Sequence, residues 1–213
     1  MNTVKICGLK QEAMIETAID AGADHVGFVH FPKSPRHLEL ARIEELAHFV
    51  GKKAFSWVVL AKPSVELLLK IAQDLPSVAG IQVHGALDAD MLAQVRAVRH
   101  DLKIMRAYSV SLTGDLPTQE EMRCYDYVLF DAKPKADDKL PGGNGTRFNW
   151  EIMQGFRAPV PWFLAGGLDA ENVQIAISQS GAKMVDVSSG VEAQPGVKDE
   201  KKVEAFIKAA RFE

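Results

Sequence analysis

The chain has 213 residues, 47% of them apolar, with 25 basic against 28 acidic side chains and a net charge of −3. That length sustains one sizeable hydrophobic core, and folds of the barrel kind often reach it as one unit, so a single domain spanning residues 1–213 is expected. Both signs of charge are scattered along the chain, which argues against a nucleic-acid stripe or a membrane-surface helix and leaves a small-molecule metabolite as the expected partner.

The first residues run straight into Val4 and Ile6 with no basic segment and apolar run, and no stretch is long enough to cross a bilayer. Only Cys7 and Cys124 are present, which makes neither a disulfide framework nor a metal-ligand spacing. The expectation is a cytoplasmic protein with no bound metal, in which Cys7 is a free thiol.

In chain order, residues 4–7 alternate so that Val4 and Ile6 share one face of a strand and Lys5 and Cys7 the other, and Gly8 ends it. Met14, Ile15, Ala18 and Ile19 recur at helical spacing within residues 10–21, and Gly22 stops the run. Residues 25–30 read as a second strand, and a proline-containing loop with Arg36 leads to a helix striped by Leu40, Ile43, Leu46, Ala47 and Val50. Strands over 54–60 and 80–85 alternate with helices carrying Val65, Leu68, Leu69 and Ala72, then Leu92, Val95 and Val98. After a fifth strand at 103–108, the segment 109–122 contains Gly114 and Pro117 and predicts an irregular crossover. The sixth strand, 127–131, ends in Asp131; a long loop over 132–148 and a short helix from Asn149 follow. Residues 162–165 form the seventh strand, closed by Gly166 and Gly167, with Asp169 placed to cap the helix of Val173, Ala176 and Ile177. The eighth, 183–187, runs into Ser188-Ser189-Gly190, and Val203, Phe206, Ile207 and Ala210 stripe the last helix.

Eight strands alternating with seven or eight helices predict a closed α/β barrel, a single (β/α)8 TIM barrel. An open doubly wound sheet is the alternative, but the first turn, Cys7-Gly8-Leu9-Lys10, lacks the glycine fingerprint of a dinucleotide site. In a barrel the strand ends gather at one mouth, which brings Cys7, His84, Asp131, Gly166-Gly167 and Ser188-Ser189-Gly190 together.

Each of these has a plain reading beside the functional one. Cys7 fits a small buried apolar position as well as a working thiol, and as a base it needs its pKa lowered. Asp131 ends an apolar strand, where a carboxylate is costly unless paired or solvated; Lys133 is close enough to pair with it, and desolvation would raise its pKa towards that of a useful acid. Glycine and serine serve turns anywhere, yet in register after strands seven and eight they make a phosphate site of backbone N–H groups. Arg36 offers a fork for a carboxylate or is a solvated surface charge. His84 points into the barrel if Ile81 and Val83 face the helices, with its role left open. Lys5 and Asp186, on adjoining strands, are expected to pair inside the barrel as structure first.

Several motifs together resemble phosphoribosylanthranilate isomerase: Lys5-Ile6-Cys7-Gly8, Ser34-Pro35-Arg36, Gln82-Val83-His84-Gly85, Leu129-Phe130-Asp131, Gly142-Gly143-Asn144-Gly145, Ala165-Gly166-Gly167-Leu168 with Asn172, and the run from Asp186 to Glu192. They span the whole chain in order, and one position departs: Asn144 stands where the family usually has threonine. The resemblance implies an Amadori rearrangement of N-(5-phosphoribosyl)anthranilate in tryptophan biosynthesis, with no cofactor and no metal. It implies Cys7 as base, Asp131 as acid, Arg36 on the anthranilate carboxylate, and backbone groups of Gly166, Gly167, Ser189 and Gly190 on the phosphate. A sugar-phosphate epimerase, an aminoaldose isomerase of histidine biosynthesis, and a non-catalytic barrel that binds a phosphorylated ligand are the alternatives. The oligomeric state is not readable from the residues, with a monomer favoured.

Overall fold

The computed structural model of the protein describes residues 1–132 and 149–211. Eight parallel strands close into a barrel: β1 (Thr3–Cys7), β2 (His25–Val29), β3 (Phe55–Ala61), β4 (Gly80–His84), β5 (Lys103–Val110), β6 (Tyr127–Ala132), β7 (Trp162–Leu164) and β8 (Met184–Val187). Each pairs with its neighbour in sequence, and β8 returns to β1 with Lys5 opposite Asp186. The helices α1 (Glu12–Asp20), α2 (Leu40–Val50), α3 (Val65–Asp74), α4 (Ala89–Val98), α5 (Gln119–Arg123), α6 (Val173–Ser180) and α7 (Glu200–Arg211) lie outside this closed sheet.

The alternation of each strand divides the apolar side chains into two cores. Val4, Ile6, Val26, Phe28, Ile81, Val83, Val128 and Phe130 pack outward under the helices. Trp57, Met105, Ala107, Leu129, Phe163 and Ala165 form a second cluster on the opposite face of their strands, inside the barrel. The helical stripes bury as their periodicity predicts: Val203, Phe206, Ile207 and Ala210 of α7 are all fully buried, each large side chain contributing roughly 1.5–3 kcal/mol of transfer free energy. Ser64 and Asp88 start α3 and α4 by accepting from the N–H groups of Leu67 and Met91, which satisfies donors the helix itself leaves unpaired.

The departures have local causes. Val98 is 42% exposed, because α4 turns its last residue away from the sheet; Leu92 and Val95 alone hold the buried stripe. The fifth crossover is irregular as expected, with a 3-10 turn at Thr113–Asp115 before the five-residue α5, whose Thr118 and Glu121 form a reciprocal cap. The helix expected from Asn149 is one 3-10 turn, Trp150–Met153. A short antiparallel hairpin, β9 (Glu192–Gln194) and β10 (Val197–Lys198), stands between β8 and α7 where no element was anticipated. The Gly-Gly-Asn-Gly segment at 142–145 and Lys133 lie outside the described residues.

At the other end of the barrel from the strand C-termini, Trp57 donates its indole N–H to His25 Nδ1 at 3.0 Å, and Phe55, Tyr127 and Phe163 pack their rings around this pair. Burial, assisted by the Lys5 ammonium, lowers the His25 pKa from 6.5 to about 4. The barrel therefore has a solid floor, and its open space lies at the mouth. Among the described residues no helix is long and apolar enough to cross a membrane.

Candidate active site

A cleft with about 570 Å³ of atom-free space opens at the C-terminal ends of the strands, and Cys7, Arg36, His84, Asp131, Asp186 and Ser188 all line it. Strand alternation explains the thiol: with Val4 and Ile6 fully buried under the helices, Lys5 and Cys7 must point inward. Asp131 follows Leu129 at a spacing of two on β6 and is 7% exposed, so its carboxylate sits at the inner rim of the same cleft. The remaining wall is mostly apolar, from Val29, Phe31, Val59, Ala61 and Leu129, with Ser34 and Gln82 as its polar members.

Lys5 is fully buried, and its ammonium donates to Asp186 Oδ1 at 2.8 Å. Gly27 on β2 leaves room beside this pair: a Cβ there would stand 3.0 Å from Cys7 Sγ and 3.2 Å from Lys5 Nζ. Burial alone would push the Lys5 ammonium down, but Asp186 and Cys7 more than offset it and its pKa lies above the ordinary lysine value. The Cys7 thiol moves the other way from what a base needs: burial pushes its pKa up, and although Lys5 is the strongest of the cations that pull it down, burial wins. In this unliganded cleft Cys7 therefore rests as a thiol.

Arg36 is not the solvated charge that a loop arginine usually is. It is 5% exposed, and its Nε and Nη2 fork onto the two carboxylate oxygens of Glu192 at 2.7 and 2.8 Å. Gly8, at φ +81°, makes this packing possible, since a Cβ there would lie 2.6 Å from Arg36 Cδ. Glu192 is shared with Lys198, whose ammonium approaches Oε1 at 2.9 Å. Burial raises the Glu192 carboxyl, yet Arg36 and Lys198 together hold it below the usual range.

The loops after β7 and β8 meet backbone to backbone. Gly166 and Gly167 have φ of +88° and +65°, and a Cβ on Gly190 would come within 1.9 Å of the Leu168 carbonyl oxygen, so only glycine fits there. Asn172 ties the first loop by donating to the Gly167 carbonyl at 2.9 Å and accepting from the Asp169 N–H at 3.0 Å. Asp169 caps as expected, accepting from the N–H groups of Glu171 and Asn172, one turn before the regular part of α6. Ser189 and Gly190 begin a 3-10 turn, and among the described residues their N–H groups have no hydrogen-bond acceptor. Unpaired N–H groups at a turn start make a place for an anion.

His84 is at the inner face, as the outward burial of Ile81 and Val83 requires. Its Nε2 faces the Gln82 amide nitrogen at 3.3 Å, and burial, with Lys5 second, lowers its pKa from 6.5 to about 4, so it is a neutral wall of the cleft. His30, His37 and Glu39, in the segment between β2 and α2, bring three ligand atoms within 4.8 Å of one another. There His37 Nδ1 accepts from the Phe31 N–H at 3.1 Å, which leaves the ring proton on Nε2, facing Glu39 at 3.2 Å. That tautomer staples the loop and offers no lone pair to a cation at Nε2.

Two buried side chains of this site, Glu192 and Lys198, carry no assignment from the sequence beyond the motif in which Glu192 stands. The hairpin that holds them has a signal in Pro195-Gly196, a proline and a positive-φ glycine in tandem, the pattern of a type II turn. The partners across the barrel have none, because Arg36 and Glu192 are 156 residues apart.

Comparisons with known proteins agree with this geometry. The family described as PRAI, N-(5'phosphoribosyl)anthranilate (PRA) isomerase, matches residues 4–209. An N-(5'-phosphoribosyl)anthranilate isomerase of Cereibacter sphaeroides is 44% identical over 209 residues, covering 98% of both chains. One of Beijerinckia indica is 44% identical and covers 98% of this chain and 93% of its own. Among solved structures, phosphoribosyl anthranilate isomerase from Thermotoga maritima superposes with a TM-score of 0.83 at 30% identity, covering 99% of each chain. A phosphoribosyl anthranilate isomerase in complex with reduced 1-(o-carboxyphenylamino)-1-deoxyribulose 5-phosphate superposes at 0.81 with 29% identity and the same coverage. Matched along nearly its whole length in sequence and in fold, the chain belongs to the N-(5'-phosphoribosyl)anthranilate isomerase family.

Proposed function

We propose that this barrel converts N-(5-phosphoribosyl)anthranilate to 1-(2-carboxyphenylamino)-1-deoxyribulose 5-phosphate by general acid and base catalysis, with Asp131 as acid and Cys7 as base. The observation that carries the reading is a buried thiol, a buried carboxylate and a fixed guanidinium lining one cleft at the C-terminal ends of the strands.

The chemistry follows from what each group can do. Asp131 donates its proton to the furanose ring oxygen, the C1–O bond breaks, and a protonated imine forms at C1. As the cationic iminium forms, Cys7 releases its thiol proton to solvent, and the thiolate removes the proton from C2; the electron pair flows into the iminium, giving an enol-amine that tautomerises to the ketone by taking a proton at C1. The iminium is the electron sink, so the carbon acid is activated by the substrate itself. Its positive charge beside Cys7 adds a further pull on the thiol proton. Glu192 holds the Arg36 guanidinium plane by two of its five N–H donors, which presents a preset cation to the anthranilate carboxylate. The loops of Gly166-Gly167 and Ser189-Gly190, next to the cleft residue Ser188, would take the phosphate by backbone N–H groups, and Phe31, Val59 and Ala61 offer an apolar wall to the aromatic ring.

We further assign the protein to the cytoplasm, since Cys124 is an exposed free thiol of the kind a reducing compartment preserves. It acts as one barrel domain and as a monomer. The exposed large apolar residues Val98, Leu112, Ile175 and Val197 are dispersed over separate elements; sedimentation at micromolar concentration reads the oligomeric state. The decisive experiment is incubation of the purified protein with freshly made phosphoribosylanthranilate while its fluorescence is followed. Rapid decay to product is expected; binding without decay would leave a phosphometabolite-binding barrel instead.

A further inference from the structure

The hairpin β9–β10 places behind the cleft, against Ser188 and Glu192, a cation that the reaction above does not use. The Lys198 side chain is 3% exposed, rare for lysine, and its ammonium has three acceptors: Glu192 Oε1 at 2.9 Å, the Ser188 carbonyl at 2.9 Å and Ser188 Oγ at 3.3 Å. The Ser188 hydroxyl in turn donates to the Cys7 carbonyl at 3.1 Å. One ammonium thus joins the Arg36 fork, through Glu192, to the turn that precedes Ser189 and to the backbone of Cys7.

Among the described residues, Lys5 is matched by Asp186, while Arg36 and Lys198 share the one carboxylate of Glu192. Of the other described ionisable groups lining the cleft, Asp131 stands on β6 and His84 on β4. His84 is neutral well above pH 4. Burial lowers the Lys198 pKa, with Glu192 opposing it, and a cation held there by Glu192 and Ser188 favours an anion nearby.

We infer that Lys198 is a positioning residue: it supplies positive charge that favours release of the Cys7 thiol proton, and it pins Ser188 so that the thiol and the turn after β8 keep their relative places. This rests on Cys7 being the base, and it predicts a property of the free protein that is read without substrate.

The test uses the full chain with Cys124→Ser, so that thiolate absorbance near 240 nm reports Cys7 alone. In Lys198→Met the Cys7 titration should move to higher pH by about 1–3 units, the scale of a lost neighbouring charge. In Lys198→Arg it should stay within a few tenths of a unit of the parent. With substrate, kcat of Lys198→Met should fall at least tenfold at neutral pH and recover as pH rises, whereas Lys198→Arg should keep most of it. An unchanged Cys7 titration in a folded Lys198→Met would overturn the inference. So would an Arg variant that shifts as far as the Met variant, and this second arm serves if Lys198→Met does not fold. A protein whose Cys7 titration responds as expected but which does not turn over phosphoribosylanthranilate would retain the Lys198 assignment and lose the isomerase reading.

Discussion

In the proposed mechanism Cys7 and Asp131 must hold opposite protonation states, and burial works against this at Cys7 by raising the thiol pKa, so the positive charge of the substrate iminium has to offset it. Positioned acid or base catalysis is worth roughly 10²–10⁴ in rate, or about 3–5 kcal/mol of barrier. Cys7→Ser and Asp131→Asn, which keep shape but lose the transferable proton or its acceptor, should each lower kcat by that factor with KM nearly unchanged. Retention of more than about a tenth of wild-type kcat in either folded variant would remove its residue from the mechanism. In the proposed mechanism Arg36 has two duties. Arg36→Ala would remove its charge-assisted hydrogen bond to the substrate carboxylate, worth about 1.5–3 kcal/mol, so KM should rise roughly tenfold to a hundredfold. It also leaves the buried Glu192 with Lys198 as its remaining ion-pair partner, so melting temperature should fall as well, and Glu192→Gln should share the fall in melting temperature. A KM equal to wild type in Arg36→Ala would show that the substrate carboxylate binds elsewhere.

At the scale of elements, the contact that would shape the proposed phosphate site is between the loop after β7 and the turn after β8. Strand β7 pairs with β8 through Leu164 and Val185, so the two loops owe their registry less to the sheet than to the approach of Gly190 to the Leu168 carbonyl. Gly190→Ala would force the added methyl to within 1.9 Å of that oxygen, and the loops must part. Inorganic phosphate, which should compete with substrate in the wild type, should lose most of its inhibition in this variant. Undiminished competition by phosphate in folded Gly190→Ala would place the anion site elsewhere.

For the whole molecule, buried ionisable groups make stability depend on pH. His25 in the barrel floor has its pKa depressed from 6.5 to about 4, so the unfolded chain binds the extra proton first. Stability from this group is complete above pH 6.5 and is lost as pH falls towards 4. At about 1.36 kcal/mol per unit the loss is on the order of 3 kcal/mol. Glu192, whose pKa is also depressed, adds a loss at lower pH as Arg36 and Lys198 forfeit their counter-charge. His25→Gln keeps an acceptor for the Trp57 indole without a titrating ring, and urea unfolding between pH 7 and 4 should show a shallower decline. Parallel curves for variant and wild type would exclude the floor as the source.

Much of this architecture is local information. Stripes at 3.6-residue spacing and alternation at two decide helices and strands because burying them is the largest favourable term available, so β1, α2 and α7 were legible from their residues. The parity of β1 and β6 likewise turned Cys7 and Asp131 inward, and the glycines after β7 and β8 marked where backbone must come close. Val98 escaped because periodicity says which residues align and not where the neighbouring surface ends. The burial of Arg36, its fork on Glu192 and the three-way hold of Lys198 were decided only by closure of the barrel. Whether a charge is solvated or paired depends on which distant chain segment closes over it, and the pairs that fill this mouth join residues as much as 181 positions apart. The sequence determined which groups exist and which way each strand turns them; the tertiary structure decided their partners, and through desolvation and neighbouring charge, their protonation.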